Sequence, residues 1–207
     1  MGAVTRSTIC ATPDSKSRFR KTTIVDPTAQ PMPNFLDRQF EQSEPNAVWV
    51  SDITGIWTLE GWVYLVAILD LFSRIVAGWD ACATPEAAMC VRAFERAVKS
   101  RNPPPGLLVH SDRGSQYTSV VFQESVIRNG GIQSMSRKGN CWDNAPAESF
   151  WSSLKAEMGQ SIPATRAEAY RRIFEYIEAF YNTSRLHSTL GYMSPTQFEK
   201  AAAAIAA

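Results

Sequence analysis

The chain is poor in several things, and each absence narrows the field. No run of about 18 apolar residues occurs in its 207 residues, so nothing reads as a membrane-spanning helix. The net charge is only +1, so the strong basic excess of many nucleic-acid binders is missing. There are two histidines, His110 and His187. The four cysteines (Cys10, Cys82, Cys90, Cys141) show no CxxC or zinc-type spacing, which speaks against structural zinc and for reduced thiols. "MGAVTRSTICATPDSK" has no apolar signal-peptide core, so a cytoplasmic protein is expected. No internal repeat is visible, which excludes solenoids and propellers. What is present is an ordinary globular balance, 44% hydrophobic and 20% charged, long enough for one domain with a sizeable core.

Charge is unevenly spread. The first 21 residues carry Arg6, Lys16, Arg18, Arg20 and Lys21 against Asp14 alone. A solvated terminus and a nucleic-acid contact are both open readings of that tail. Residues 1–46 read as a basic, Pro-rich arm or linker, with a short helix around "NFLDRQF". Residues 47–160 read as the core, and 161–207 as a helical extension packing on it. Within the core, "VWVSDITGIW", "GWVYLVAILDL" and "SRIVAGWDACA" read as an antiparallel meander. The near-continuous apolar "YLVAIL" suits a central strand covered on both faces. Thr84 as N-cap and Pro85 open a helix that "NPPPG" ends. A buried strand "LLVHS", a helix "SVVFQESVIRNGG" and a strand "IQSMS" follow. "RKGNCWD" reads as a mobile loop before a helix over "NAPAESFWSSLKAEM". Thr165 and Glu168 form a capping box for a helix whose apolar face is Tyr170, Ile173, Phe174, Ile177 and Tyr181. Ser194, Pro195 and Gln197 start the last helix. The order β-β-β-α-β-α-β-α implies a mixed five-stranded α/β sheet with helices on both faces, the ribonuclease H-like arrangement, plus C-terminal helices.

Three carboxylates stand where such a sheet would bring them together. Asp52 interrupts the first strand, where propensity disfavours it and burial without a partner is costly. Asp112 follows the C-terminal end of the fourth strand, the usual edge of a functional crevice. Glu148 borders the apolar stripe Ala147, Trp151, Leu154, Met158 instead of opposing it, in line with Ser152 and Lys155. Converging carboxylates raise one another's pKa, and a divalent cation removes that repulsion. Oxygen-only ligands point to Mg²⁺, with Mn²⁺ as substitute, and hence to phosphoryl displacement. The bland alternatives are a hydrogen-bonded strand Asp, a turn Asp before Arg113-Gly114, and a Glu that complements a helix dipole. Asp70 and Asp80 are rivals that fit a hairpin connection and a strand end.

"VWVSDIT", "HSDRGSQYTS", "SMSRKGNCWDNAPAESFWSSLKAE" and "YIEAFYNTSRLHSTLGYMSP" resemble the integrase core of insertion-sequence transposases. The resemblance is to the second-reading-frame product of the insertion-sequence-three family, kin to retroviral integrases, and runs from about Asn34 to Phe198. Asp112 and Glu148 have 35 residues between them, the family's spacing, and Lys155 falls seven after Glu148, where the family places a basic residue. The resemblance implies that Asp52, Asp112 and Glu148 bind Mg²⁺, that water cleaves the element's 3′ ends, and that the freed 3′-hydroxyl attacks target DNA. It implies DNA as partner, a homo-oligomer on the DNA, and association with the nucleoid. It also suggests that Asn182, Arg185 and His187 lie near the site or support it, against a helix-capping role for Arg185 and a structural one for His187. Lys155, Arg113, Arg137 and Lys138 are candidate phosphate contacts. Trp142 and Tyr117 are candidates for stacking on bases or for packing against protein. Family members carry helical DNA-binding segments ahead of the core, whereas a short basic arm precedes "PNFLDRQF" here. The expected further partner is therefore a separate DNA-binding transposase subunit or a fused upstream frame. The competing expectations are a truncated regulator that binds DNA or transposase without catalysis, and a general metal-dependent nuclease.

Overall fold

The computed structural model describes residues 31–159 and 161–206. The basic residues of the first 21 positions lie outside them. Alternating apolar residues build the sheet. β1 (Val48–Thr58) and β2 (Gly61–Asp70) form a long antiparallel hairpin, from Trp49 opposite Asp70 to Thr58 opposite Gly61. β3 (Val76–Cys82) pairs antiparallel with β2 through an irregularity at Ile68/Leu69. β4 (Leu108–Ser111) runs parallel to β1, and β5 (Ile132–Met135) parallel to β4. The strand order is β3-β2-β1-β4-β5.

Period-two alternation divides the core into two layers. Val48, Val50, Ile56, Leu65, Ala67 and Leu69 face the C-terminal helices. Trp49, Val66 and Ile68 face the other way, onto α1 (Ala87–Arg101) and α2 (Val120–Arg128). Every residue from Leu65 to Leu69 is buried, as expected for a strand covered on both faces. Gly78 allows α1 to sit close on β3, because a Cβ there would lie 2.5 Å from the Ala93 carbonyl. The fold is thus the expected mixed five-stranded, ribonuclease H-like sheet.

α3 (Ala145–Glu157) buries Ala147, Phe150, Trp151 and Leu154 against the first layer and leaves Glu148, Ser152 and Lys155 exposed. α4 (Arg166–Phe174) and a wider-turned π segment, Glu175–Tyr181, cover the rest of that layer. α5 (Pro195–Ala206) starts at a reciprocal cap, in which Gln197 N donates to Ser194 Oγ and Ser194 N to Gln197 Oε1.

Four local expectations are corrected. Residues 34–40 form turns, not a helix, with Asp37 and Arg38 at positive φ. The N-cap of α1 is Glu86, because Thr84 and Pro85 remain outside the helix and Thr84 Oγ1 bonds the Glu86 carboxylate. Thr165 caps α4 as expected, but Glu168 reaches back to Ala164 N instead of Thr165 N. Tyr170 and Phe174 remain exposed beside Trp79, while Ala169 and Tyr176 are buried with Ile173, Ile177 and Tyr181. Both exposed residues lie within α4 itself, on the edge of the apolar stripe that turns away from Ala169 and Ile173.

Candidate active site

The register of the sheet carries Asp52 to Asp112. Val50 stands opposite His110 in the parallel β1–β4 pair, and that pairing ends there. Two residues further on, each chain has an aspartate at the crevice. Asp52 shares the face of Val50 and points to the α3 side, where its Oδ2 accepts 2.9 Å from Trp151 Nε1. Asp112 leaves β4 in a tight turn, with Oδ1 accepting 2.9 Å from Gly114 N. A Cβ on Gly114 would lie 3.0 Å from that oxygen, so glycine permits the close approach. Glu148, in the first turn of α3, completes the wall. These three carboxylates line one cleft of about 600 Å³ together with Arg113, Arg137 and Lys138.

The electrostatics of the cleft are those of uncompensated negative charge. Burial, followed by the Asp112 charge, pushes the Asp52 pKa up to about 6. Hydrogen bonds from Ile53 N and Trp151 oppose this, and Glu148 adds a smaller upward push. Asp112 opens to solvent at the mouth, yet the crowding around its carboxyl raises its pKa against the Gly114 hydrogen bond. Asp52 and Asp112 are therefore the close pair, with Glu148 standing off. Among the described residues, no three His, Cys, Asp or Glu side chains are gathered tightly enough to form a ready cation cage. The donor chemistry nonetheless fits a hard divalent cation: all three side chains offer oxygen, and the pair lacks the counter-charge such an ion supplies.

The rival acids each have a basic partner, although burial still raises the Asp70 pKa. Asp80 pairs with Arg92 and Arg96 at 2.7 and 2.8 Å. Asp70 caps the Asn46 and Phe72 amides and lies 3.5 Å from Arg101. Asp143, which the sequence reading passed over, has a side chain with no exposed surface. It accepts from Asn34 Nδ2, Arg38 Nε and both the amide and guanidinium of Arg137, at 2.8–3.0 Å. The Arg137 hydrogen bond in particular holds its pKa well below the carboxylate range. Residues 34–38 thus strap the loop that borders the cleft, and Ser134 Oγ fastens them further by accepting from Phe35 N.

The candidate DNA contacts separate into groups. Arg113 and Lys138 are at the cleft, with Arg113 Nε donating to the Ser136 carbonyl at 2.7 Å. Arg137 is also there, but its guanidinium is engaged by Asp143 and Asp37. Trp142 is 68% exposed in the single turn Cys141–Asn144 and free to stack. Tyr117 takes the packing alternative, fully enclosed with its hydroxyl 2.9 Å from Ser51 Oγ. Lys155 is exposed on α3 outside the cleft lining. Arg185 and His187 are not at the cleft. They line a second cavity on the other flank of α3, and Arg185 grips Glu157 through two nitrogens. Asn182 is farther away, bonding both backbone groups of Val76. Among the cleft residues that were missed is Asn144, buried, with Nδ2 donating 3.2 Å to the Ser51 carbonyl and Oδ1 unpartnered among the described residues. Its place four residues before Glu148, one helical turn away, was a legible signal.

Comparison with known proteins agrees with the fold. Integrase core domain models match residues 42–141 and 130–195. The chain is 46% identical over 169 residues to a transposase for insertion sequence element IS904 of Lactococcus lactis, covering 81% of this chain and 67% of that protein. It is 42% identical over 186 residues to a 31 kDa protein of insertion element IS600 from Shigella sonnei, covering 89% and 68%. With transposase InsF of IS3A from Escherichia coli it shares 42% over 167 residues, 80% of this chain and 58% of that one. Among solved structures, a simian T-cell lymphotropic virus intasome chain superposes with TM-score 0.64 at 17% identity, covering 84% of this chain and 60% of that one. The HTLV-2 integrase catalytic core in complex with magnesium superposes with TM-score 0.57 at 16% identity, covering 75% and 97%. The fold of the sheet is therefore that of retroviral integrase cores, and the chain belongs to the insertion-sequence-three type of transposases, built on an integrase core domain.

Proposed function

We propose that this chain is the catalytic core of a DNA transposase that cuts the 3′ ends of its element and joins them to target DNA in the presence of Mg²⁺. The observation that carries the reading is the cleft itself: Asp52 and Asp112 abreast without counter-charge, Glu148 on the same wall, and Arg113 and Lys138 at the rim. Asp52, Asp112 and Glu148 would hold the cation. When bound, it supplies positive charge to the phosphoryl oxygens and lowers the pKa of water.

The chain's own residues set the stage for that chemistry. Trp151 fixes one oxygen of Asp52 and so orients the carboxylate at the cleft. Gly114 does the same for Asp112. Arg113 and Lys138 offer charge to DNA phosphates beside the carboxylates, and Trp142 offers an aromatic face to a base. In cleavage, a water oxygen bonds to phosphorus as the bond to the 3′ oxygen breaks. In joining, the freed 3′-hydroxyl attacks a target phosphodiester and displaces another 3′ oxygen. Two ends must be handled together, so a homo-oligomer on DNA belongs to the proposal.

The test is nicking of supercoiled plasmid in Mg²⁺, Mn²⁺ or EDTA by wild type and Glu148→Gln, followed by a joining assay with a pre-cut end. Metal-dependent nicking reduced at least about a hundredfold in the variant is expected for loss of a group that stabilises the transition state. Equal nicking by both proteins would refute the assignment. Nicking without joining would turn the reading to a general nuclease, and nicking by neither would favour the non-catalytic regulator.

A further inference from the structure

α3 separates two cavities of opposite character. Asn144 and Glu148 reach the carboxylate cleft on one flank. On the other flank, a cavity of about 260 Å³ lies among Arg74, Ser149, Ser153, Tyr181, Arg185 and His187. Neither Arg74 nor this cavity was legible in the sequence.

Among the described residues, one positive charge of the second cavity, Arg74, has no acidic partner. Arg74 sits at φ 62°, a left-handed conformation costing a residue with a β-carbon about 1 kcal/mol. Arg74 N, donating 2.8 Å to the Asp70 carbonyl, helps hold it there. Its guanidinium donates 3.1 Å to the Phe40 carbonyl, and among the described residues it forms no ion pair. Burial lowers its pKa, and the carboxylates of Glu41 and Asp70 oppose that only from a distance. A largely enclosed cation without a counter-ion is costly unless something else supplies the charge. Arg185, by contrast, is already satisfied by Glu157 and by Ser153 Oγ at 3.1 Å.

His187 is the second and independent observation. Its Nε2 is buried and, among the described residues, has no hydrogen-bond partner. Its ring stands edge-on to Tyr181, with centroids 5.0 Å apart, while its backbone pairs with Met193. Burial, then the charges of Arg185 and Arg74, keep the imidazole neutral at pH 7. An orphaned nitrogen inside a protein marks a missing partner. As Nε2–H it is a donor, and the Ser149 hydroxyl on α3 is another lining the same space.

We infer that this cavity is an oxyanion site that takes a phosphate group, with Arg74 as its counter-charge and His187 Nε2–H and the Ser149 hydroxyl as donors. Donors approaching from the β2–β3 turn, from α3 and from the segment after Tyr181 surround an acceptor in three dimensions. That suits a tetrahedral oxyanion better than a planar carboxylate. The phosphate could come from the free ion or from a DNA backbone, and only the DNA source rests on the proposed function.

The two histidines provide the test. The imidazole resonances of the full chain are followed while inorganic phosphate is titrated against chloride at equal ionic strength. A saturable shift of His187 is expected, with His110, enclosed between Ser134 and Ser136, unmoved. Affinity should fall about tenfold or more in Arg74→Gln, which removes a charge-assisted hydrogen bond. It should fall likewise in Ser149→Asp, which places a carboxylate in the cavity from an exposed helix position and serves if the first variant does not fold. Adding a DNA duplex distinguishes the sources: displacement of phosphate identifies the backbone, and its persistence identifies the free ion. No saturable shift in wild type, or wild-type affinity in Ser149→Asp, overturns the inference. A failed nicking assay would leave the phosphate titration intact.

Discussion

Asp52 and Asp143 are both enclosed acids within the same stretch of surface, yet their surroundings are opposite. Asp143 receives hydrogen bonds from one asparagine and two arginines, so its charge is welcome. Asp52 receives an indole N–H and faces a second carboxylate. The chain thus has the means to neutralise a carboxylate and uses them one residue from the cleft, at Asp143, but not inside it. Leaving charge unanswered there stabilises nothing in the protein alone, which is why the cleft reads as a place for a ligand of opposite sign.

The largest effect should come from removing the unanswered charge. The Asp52 pKa near 6 exceeds its unfolded value of 3.8, so between those pH values the native state binds more protons than the unfolded one. Stability therefore falls as pH rises from about 4 to 6, and by pH 7 the cost is roughly 2–3 kcal/mol. Asp52→Asn should remove this dependence and raise the melting temperature in EDTA at pH 7 by about 5 °C or more. Mg²⁺ should stabilise wild type and leave the variant unchanged. Calorimetry showing the variant melting at or below wild type would mean that Asp52 is compensated after all.

Asp143 should behave in the opposite sense. Its native pKa lies below 3.8, so the unfolded state binds the extra proton, and its contribution is lost as pH falls below about 4. Asp143→Ala leaves Arg38 and Arg137 without their acid. Because those arginines are 46% and 48% exposed, the loss should be about 2 kcal/mol, below the 3–5 typical of a fully buried pair. Urea denaturation measures this. Limited proteolysis should show faster cutting near residues 137–140, because the strap from residues 34–38 no longer holds that loop. Unchanged stability and unchanged cutting would break the contrast with Asp52.

The contrast also shows which parts were legible beforehand. Strand alternation, the helix stop at "NPPPG" and the caps at Thr165 and Ser194 are local signals, and the two-layer sheet followed from them. Asp52 and Glu148 were visible because each breaks a local rule: an acid inside a strand, and an acid beside an apolar stripe. Asp143 breaks no rule in "GNCWDN", since a loop tolerates Asp. Its partners Asn34 and Arg38 are more than 100 residues away, a contact that local pattern does not encode. Arg74 and His187 come together for the same long-range reason. The resemblance pointed to Arg185 and His187, but sequence spacing held no sign that α3 would stand between them and the carboxylates. Tyr170 and Phe174 were misplaced because an apolar pattern read at 100° per residue does not say which edge of a broad stripe meets the sheet, and here Ala169 and Ile173 take that place.

The smallest expected effect sharpens the comparison on its cationic side. Arg113, Arg137 and Lys138 all line the cleft, but Arg137 has already given its charge to Asp143. Counter-ion release depends on charge available to phosphates, at about 0.9 per contact in the slope of log affinity against log salt. Arg113→Ala and Lys138→Ala should each reduce the magnitude of that slope by about one and weaken nonspecific duplex binding modestly. Arg137→Ala should leave the slope nearly unchanged and instead lower stability, because it strips Asp143 of its main partner. A slope change in Arg137→Ala as large as in Lys138→Ala would show that the ion pair yields to DNA. Asp143 would then be left with Asn34, Arg38 and the Arg137 amide as partners whenever DNA enters the cleft.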